Sequence, residues 1–271
     1  MGRSAHGQRR IAPRYSNDTM AWLGALVAAT ALLAPAQPVT VAVVDTGANV
    51  RVPEIAAKRP ATYDVRTRRR DVRDLNGHGT LVASIVARSS GPARLLIIRA
   101  GSSSGAFSDA NEAAAIRYAV DHGARIVNLS LGGPRTSTVE RAAIRYAVSR
   151  RVLVVAAAGD DYASRPEYPA ALLGADGLAV AAVMRDGTRA VFSNSGPWVS
   201  VAAPGEEGTS FAAPLVSAAA ALVWTANPRL SPRQVVGLLQ ETASGLGRRD
   251  DGLGYGVIDV AAAVARAEAL R

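Results

Sequence analysis

Apolar runs of five or six residues alternate with longer alanine-rich stretches along most of this chain, and this alternation restricts the folds that it can adopt. The apolar runs are rich in valine, isoleucine and leucine, a composition typical of strands buried on both faces of a sheet. Strands that alternate with helices form crossover units, which build parallel sheets. The sequence therefore predicts an α/β protein with a mainly parallel central sheet.

The pattern also predicts where the individual elements lie. The predicted strands cover residues 39–44, 95–99, 126–130, 152–157 and 178–183. The predicted helices cover residues 78–87, 108–122, 137–150 and 209–226. A further helix is predicted to begin at Ser231-Pro232, with serine as the N-cap and proline in the first turn. A final helix is predicted from Asp259.

Composition excludes several classes of protein. The chain has 271 residues, 49% of them hydrophobic, which suits one large domain with a sizeable core. It has no cysteine, so disulfides and thiolate metal sites are impossible. The formal charge is +9, and the dense basic run at residues 66–73 lacks interleaved aromatic residues. We interpret that run as an exposed loop and expect no nucleic-acid partner.

The first 37 residues differ from the rest of the chain. Residues 1–19 are polar and basic, residues 20–34 are almost wholly apolar, and Ala34-Pro-Ala36 has the spacing of a signal-peptide cleavage site. The apolar run is shorter than the roughly 20 residues of a spanning helix. We interpret residues 1–37 as a signal peptide, a membrane-associated segment or an N-terminal helix packed on the domain that follows.

Three short motifs contain residues whose side chains could take part in catalysis. Residues 41–47, VAVVDTG, are an apolar run that ends in the carboxylate of Asp45. Residues 76–80, NGHGT, flank His78 with glycines, and residues 208–214, GTSFAAP, set Ser210 at the start of a predicted helix. A serine hydroxyl is a weak nucleophile that needs a base, and the base needs an orienting group. Taken singly, each motif also fits a turn or a helix cap.

The chain order aspartate, histidine, serine, with these flanking residues, resembles the subtilisin-like serine peptidases, or subtilases, from about Pro38 onward. The resemblance implies a three-layer α/β/α fold, a peptidase domain over residues 38–271, and hydrolysis of peptide bonds through an acyl-enzyme. It assigns Ser210 as nucleophile, His78 as base and Asp45 as the group that orients the base. Subtilases usually carry a propeptide that assists folding. Because Asp45 comes early in this sequence, we expect either a chain that folds unaided or a sequence that is truncated.

Two of the departures from the subtilase pattern concern the oxyanion and the cleft. Residues 156–160, AAAGD, match a segment whose last residue is normally an asparagine that donates to the oxyanion. Here that residue is Asp160, and an ionised carboxylate only accepts hydrogen bonds. The expected oxyanion residues are therefore Asp160 and the backbone N–H of Ser210, and Asp160 predicts weak or pH-shifted activity. In addition, only Glu206-Glu207 separates residues 203–205 from residues 208–210, where subtilases usually have a longer segment.

The resemblance also assigns a substrate-binding cleft. Small residues line both walls of its main pocket, which predicts a broad apolar preference at the substrate residue before the cut. Such clefts bind extended peptides by adding them as strands. The substrate-binding residues assigned in this way are Ser130, Leu131 and Gly132 on one wall, Ala157, Ala158 and Gly159 on the other, and Gly101 in a second pairing segment.

Three functions follow as hypotheses, of which the least favoured is a nonpeptidic hydrolase such as an esterase. The first is a serine endopeptidase, and the second is a catalytically weakened subtilase fold that binds peptides or proteins. We expect a monomer that acts on protein or peptide substrates, without a cofactor or a metal. The signal-like start favours a secreted, periplasmic or membrane-associated location, with association through residues 20–34, and a cytoplasmic location is the alternative.

Overall fold

The strands of this computed structural model, which describes residues 38–245 and 247–271, all run parallel. The described part of the chain contains β1 (Thr40–Asp45), β2 (Ala61–Asp64), β3 (Arg94–Arg99), β4 (Ile126–Leu129), β5 (Leu153–Ala157), β6 (Gly177–Val183) and β7 (Val201–Pro204). They form one sheet in the order β2-β3-β1-β4-β5-β6-β7. The interpretation of residues 1–37 concerns a segment outside the described residues.

Helices connect these strands and cover both faces of the sheet. They are α1 (Pro53–Ala57), α2 (His78–Ser89), α3 (Asp109–Asp121), α4 (Thr138–Ser149), α5 (Thr209–Ala226), α6 (Pro232–Glu241) and α7 (Val260–Ala269). Two short 3-10 helices, Ala170–Leu172 and Gly174–Asp176, precede β6. Side-chain oxygens cap several helices; Ser231 and Gln234, for example, form a reciprocal capping box at the start of α6.

Alternate residues of each strand enter two separate cores, because successive side chains of a strand point to opposite faces. Val41 and Val43 of β1 belong to the core under α2 and α5, whereas Ala42 and Val44 belong to the core under α3 and α4. Residues of α6 and α7 join the first of these cores. The result is the predicted three-layer α/β/α arrangement with a parallel central sheet.

The five predicted strands and all predicted helices are present, with ends that differ by at most two residues. Sequence reasoning missed α1, β2 and β7. Strand β2 lies at an edge of the sheet and its first residue, Ala61, is exposed, so it lacks the apolar run that identifies a buried strand. Residues 66–71 and Arg73 are exposed, as predicted for the basic run, although Val72 is buried.

Helix α5 is long and apolar enough to cross a membrane by length and composition, and it is the one helix of the described residues that passes this test. However, 78% of its apolar window is buried inside the protein. Its alanines allow close packing against the sheet, so its composition is explained by its position in the core.

Helices α3 and α4 contain buried carboxyl groups. Glu112 is 5% exposed and Glu140 is 3% exposed, and each has one side-chain oxygen without a hydrogen-bond partner in the described part of the chain. Burial raises the pKa of Glu112 to about 8, and the charges of Glu140 and Asp109 act in the same direction. Both groups lie outside the cavities described below.

Glu112 should make the fold less stable as the pH rises. Its pKa is raised from 4.5 to about 8 on folding, so the folded state holds the proton more tightly and loses stability progressively between these values. In Glu112→Gln, the free energy of unfolding from urea titrations should fall less than in wild type between pH 5 and pH 8. Equal slopes for the two proteins would contradict this prediction.

Candidate active site

Two adjacent strands end where the direction of the crossovers reverses. Strands β2 and β3, which follow β1 in the chain, lie on one side of it in the sheet. Strand β4 and the strands after it lie on the other side. Functional groups in open α/β sheets gather at the carboxyl ends of strands at such a point. Asp45 is the last residue of β1 and is 1% exposed, and Ser130 directly follows β4.

His78 is the first residue of α2, and glycines allow the start of this helix to approach β1 closely. Gly77 has a φ of 99°, a left-handed conformation that favours glycine. A Cβ on Gly79 would lie 2.2 Å from the carbonyl oxygen of Gly47. This close approach leaves His78 Nδ1 only 2.8 Å from Asp45 Oδ1, where the ring N–H donates to the carboxylate.

Asp74 organises the loop before His78, and sequence reasoning missed it. Its Oδ1 accepts hydrogen bonds from the backbone N–H of Gly77 at 2.8 Å and the hydroxyl of Thr46 at 2.9 Å. Its Oδ2 accepts from the N–H and the hydroxyl of Thr80 at 2.8 and 2.7 Å. One carboxylate therefore ties the end of β1 to the start of α2. Its position four residues before His78 was the available signal.

Charges around His78 favour the protonated ring. Burial by itself lowers the pKa of His78, but the hydrogen bond and the charge of Asp45, with the charges of Asp74 and Asp160, raise that pKa above 6.5 overall. Burial raises the pKa of Asp45, and its contacts with His78 oppose this effect. Asp45 Oδ2 is buried without a partner in the residues described. An imidazole held in this way can take up a proton and be stabilised as imidazolium.

Ser210 is the second residue of α5 and is partly buried. Its hydroxyl donates to the carbonyl oxygen of Ser130 at 3.2 Å. The ring of the next residue, Phe211, lies 5.7 Å from the ring of His78, measured between centroids. No hydrogen bond joins Ser210 to His78 within residues 38–245 and 247–271.

Pro214 explains why Ser130 and Ser210 are joined. A proline inside a helix has no N–H for the carbonyl four residues earlier, which in α5 is the carbonyl of Ser210. The hydroxyl of Ser130 donates to this freed carbonyl at 2.7 Å. The side-chain N–H of Asn128 donates to the hydroxyl of Ser130 at 3.0 Å. The side-chain oxygen of Asn128 accepts from the hydroxyl of Ser217 at 2.8 Å. A buried polar chain thus attaches the first turn of α5 to β4.

Asp160 lies at the N-terminus of α5. Its Oδ1 accepts the backbone N–H of Thr209 at 2.8 Å, an arrangement favoured by the helix dipole. The hydroxyl of Thr209 accepts the N–H of Gly159 at 3.1 Å. The two acids between residues 205 and 208 form an exposed turn closed by a hydrogen bond from Gly208 N to Gly205 O. The hydrogen bond to Thr209 thus places the Asp160 carboxylate next to the residue that precedes Ser210.

Two neighbouring cavities open at this edge of the sheet. The serine cavity, of about 280 Å³, is lined by residues 131–134, 157, 159–161, 167, 209 and 210. The histidine cavity, of about 250 Å³, is lined by residues 46, 76, 78, 105, 107 and 130–132. Leu131 and Gly132 line both, so they separate the space beside Ser210 from the space beside His78.

The structure distributes the predicted substrate-binding residues unevenly. Ser130, Leu131 and Gly132 line one or both cavities, and Ala157 and Gly159 line the serine cavity.

Ala158 instead packs into a small buried cluster with Ala181 and Ala202, because alternate residues of this segment face opposite sides. Gly101 is buried next to Phe107, its N–H donates to the carbonyl of Asp45, and it lines neither cavity.

Sequence reasoning also missed two residues beside the serine cavity. Glu167 lines it and is 6% exposed, and no motif marks this position beyond the Tyr-Pro that follows. Asn194 is fully buried, and its Oδ1 accepts the backbone N–H groups of Asp161 and Ala163 at 3.0 and 2.8 Å. Asn194 therefore fixes the loop that follows Asp160.

No group of three or more potential metal-ligating side chains occurs among the described residues. The chemistry that the site supports with its own groups is nucleophilic, because a hydroxyl, an imidazole and a buried carboxylate lie at one edge of the sheet.

Comparison with known proteins agrees with this arrangement. A sequence model of the subtilase family matches residues 36–256. The chain is 34% identical over 232 residues to Subtilisin Savinase of Lederbergia lenta, covering 77% of this chain and 84% of that protein. It is 35% identical over 232 residues to a thermophilic serine proteinase of Bacillus sp. (strain AK1), covering 76% of this chain and 57% of that one. The chain therefore belongs to the subtilase family.

Solved structures show the same fold. A cold adapted subtilisin-like serine proteinase is 28% identical, with a TM-score of 0.74 over 87% of this chain and 96% of that one. A lanthipeptide protease has a TM-score of 0.76 at 23% identity, over 84% of this chain and 87% of that one, which shows likeness of fold alone. The chain spans 57% and 64% of two of its relatives, the Bacillus proteinase and the M-protease of Shouchella clausii (strain KSM-K16).

The hydrogen bond from Ser130 to the carbonyl at position 210 can be tested by a double-mutant cycle. Ser130→Ala should lower the free energy of unfolding by about 1–3 kcal/mol, because the partly buried carbonyl of Ser210 loses its donor. In a Pro214→Ala background the helix regains its own N–H donor, so Ser130→Ala should cost at least about 1 kcal/mol less there. Urea titrations of all four proteins, each also carrying Ser210→Ala to prevent self-digestion, measure the coupling. Additive effects would contradict it.

Proposed function

We propose that the chain is a serine endopeptidase in which Ser210 is the nucleophile, His78 the general base and Asp45 the orienting carboxylate. The observation that carries this proposal is the 2.8 Å hydrogen bond from His78 to buried Asp45, at the edge of the sheet where Ser210 begins α5. Membership of the subtilase family supports it, as do relatives named as serine proteinases and alkaline proteases.

The proposed reaction follows from the donors and acceptors of the site. His78 Nε2 takes the proton of the Ser210 hydroxyl as the oxygen attacks the peptide carbonyl, and the resulting imidazolium is stabilised by Asp45. His78 then gives its proton to the leaving amine, so that an acyl-enzyme remains on Ser210. Water attacks this ester with His78 again as base. The Ser210 hydroxyl must first rotate away from the carbonyl of Ser130, to which it donates here.

The oxyanion would form beside the N-terminus of α5. There the backbone N–H of Ser210 is one donor, and the helix dipole adds partial positive charge. By the family pattern Asp160 would stand in the place of a second donor, and one of its oxygens accepts the N–H of Thr209. An ionised Asp160 repels the developing negative charge, which supports the expectation of weakened activity.

We further propose that an extended peptide binds between the two cavities. The segment at Ser130, Leu131 and Gly132 would pair with the substrate backbone, and the side chain before the cut would enter the serine cavity between Gly132 and Gly159. Ala158 and Gly101 would act only indirectly, since both are buried away from the cavities. The proposed form is a monomer.

A second function is supported by one specific contact. The Ser210 hydroxyl bonds to Ser130, and the acid at position 160 disfavours an oxyanion, so the same cleft could bind peptides without cleaving them. We place this peptide-binding function second, because the Asp45–His78 pair has no evident use in binding alone.

We also propose that the protein acts outside the cytoplasm. One relative, 32% identical over 229 residues, is named cell wall-associated protease of Bacillus subtilis (strain 168). The signal-like composition of residues 1–37 supports the same location.

A fluorophosphonate probe tests the proposed nucleophile directly. Wild type should be labelled on one serine, and Ser210→Ala should not be labelled. Ser149→Ala is the matched control, because Ser149 is exposed on α4 and lies outside both cavities. Labelling that persists in Ser210→Ala would overturn the assignment, and a folded wild type that is never labelled would favour the peptide-binding function.

Asp160→Asn should raise activity. The asparagine can still accept the N–H of Thr209 through its oxygen, while its amide offers the missing donor to the oxyanion. One such donor is worth about 10²–10³ in kcat, so an increase in this range is expected with KM little changed. Steady-state kinetics on a peptide substrate measures it. An unchanged or lower kcat would show that Asp160 does not limit the reaction.

The acidic limb of the activity profile should report His78. The base must be neutral, and its pKa lies above 6.5, so kcat/KM should fall as the pH decreases through a midpoint above 6.5. Asp160 contributes to this raised pKa, and Asp160→Asn should move the midpoint to lower pH. Asp161→Asn, which removes the neighbouring charge, should move it less. Equal shifts in the two variants would contradict the assignment.

A further inference from the structure

Glu167 is a buried carboxylate that the proposed reaction does not use. It is 6% exposed, and its Oε2 has no hydrogen-bond partner within the described part of the chain. A carboxylate removed from water in this way is costly unless a partner neutralises it. Because Glu167 lines the serine cavity together with Ser210, the partner could come from a bound molecule.

The position of Glu167 within the cavity is set by two glycines. A Cβ on Gly132 would lie 2.9 Å from Glu167 Oε1, and a Cβ on Gly159 would lie 3.0 Å from Glu167 Cγ. These glycines belong to the opposite walls of the cavity, so the glutamate side chain lies between the walls. Any side chain that enters between them from the Ser210 end meets this carboxylate.

The backbone holds Glu167 firmly in that place. The next residue, Tyr168, exchanges two hydrogen bonds of 2.9 Å with Gly133, one in each direction. The carbonyl of Glu167 accepts the N–H of Ala171 at 2.8 Å. A charged group on a rigid segment can select a ligand because it does not move away from a poor partner.

The surroundings of the cavity are acidic although the protein is basic overall. Its lining includes Asp160, Asp161 and Glu167 and contains no lysine or arginine among the residues described. Arg165, a cation close to this lining, pairs with Asp161 at 3.5 Å on the surface. Burial raises the pKa of Glu167 to about 7; the charge of Asp161 adds to this, that of Arg165 opposes it, and that of Asp160 adds.

We propose that Glu167 is the specificity-determining residue of the serine cavity, which accepts the cationic side chain of arginine or lysine from the substrate residue before the cut. This proposal rests on the proposed peptidase function, because Ser210 defines which substrate residue lies beside it. A cavity of about 280 Å³ holds a single side chain of this length. The bound cation would give Glu167 the partner that it lacks and would form a charge-assisted hydrogen bond.

This preference differs from the apolar one that the small wall residues predict. Leu131, Ala157 and the two glycines suit the methylene groups of a long side chain, and Glu167 suits its charged end. The small wall residues are therefore compatible with a substrate arginine or lysine, because Glu167 lies between the walls.

The test compares two peptides that are identical except for arginine or citrulline before the cut, since citrulline has nearly the same shape without the charge. At pH 8 wild type should prefer arginine in kcat/KM by about 100-fold, and Glu167→Gln should reduce that ratio at least about tenfold. Glu112→Gln is the matched control, because Glu112 is also a buried acid with an unpartnered oxygen but lies outside the cavity. It should leave the ratio unchanged.

The pH dependence of the same ratio gives an independent readout. The arginine-to-citrulline ratio should rise as the pH increases through about 7, where Glu167 ionises, whereas protonation of His78 affects both peptides equally. In Glu167→Gln the ratio should be flat. A wild type that cleaves both peptides equally, or a Glu167→Gln variant that keeps the full ratio, would overturn the proposal.

Binding to an inactive variant separates this proposal from the peptidase function. In Ser210→Ala, peptide amides that end in arginine or citrulline can be titrated calorimetrically at pH 8. Tighter binding of arginine, by at least about tenfold and lost on adding Glu167→Gln, would support the cation site even if wild type cleaves nothing. Equal Kd values for the two peptides would reject the cation site, whatever the result for cleavage.

Discussion

The rest of the site depends on the hydrogen bond that attaches the first turn of α5 to the end of β4. Pro214 deprives the Ser210 carbonyl of its helical donor, and the hydroxyl of Ser130 replaces it at 2.7 Å. This bond holds the start of α5, with Ser210, against the edge of the sheet at which β1 ends in Asp45. Because the bond is partly buried, losing it would leave a carbonyl poorly satisfied, and the bond therefore helps to define the position of Ser210.

Negative charge is concentrated around that edge in a chain whose formal charge is +9. Asp45, Asp74 and Asp160 all raise the pKa of His78, which favours the imidazolium that the proposed reaction forms. The same charges oppose an oxyanion, and Asp160 is the one closest to where it would develop. If Glu167 binds a cationic substrate side chain as proposed, the same acidity would oppose the oxyanion. The acidic lining and the proposed weakening of catalysis would then be two consequences of one charge distribution.

Much of the fold was predictable because its elements are defined locally. Five strands were predicted from their runs of valine, isoleucine and leucine, and the start of α6 was predicted from the serine that caps it. The edge strand β2 and the short β7 were missed, since neither has a long apolar run. Asp45, His78 and Ser210 were identified from motifs, but nothing in those motifs says that the Ser210 hydroxyl bonds to Ser130.

The sequence by itself determined the parallel α/β architecture, the subtilase motifs and the aspartate at position 160, because each depends on residue type and local order. Only the tertiary structure decided that Glu167 lies between Gly132 and Gly159, and that Ala158 and Gly101 face away from the cavities. Those facts depend on which segments meet at the sheet edge, because Gly132 lies 27 residues before Gly159 and 35 residues before Glu167 in the sequence. The Glu167 carboxylate is buried without a partner for its Oε2 in the described residues because these segments pack together, and no local sequence pattern predicts this.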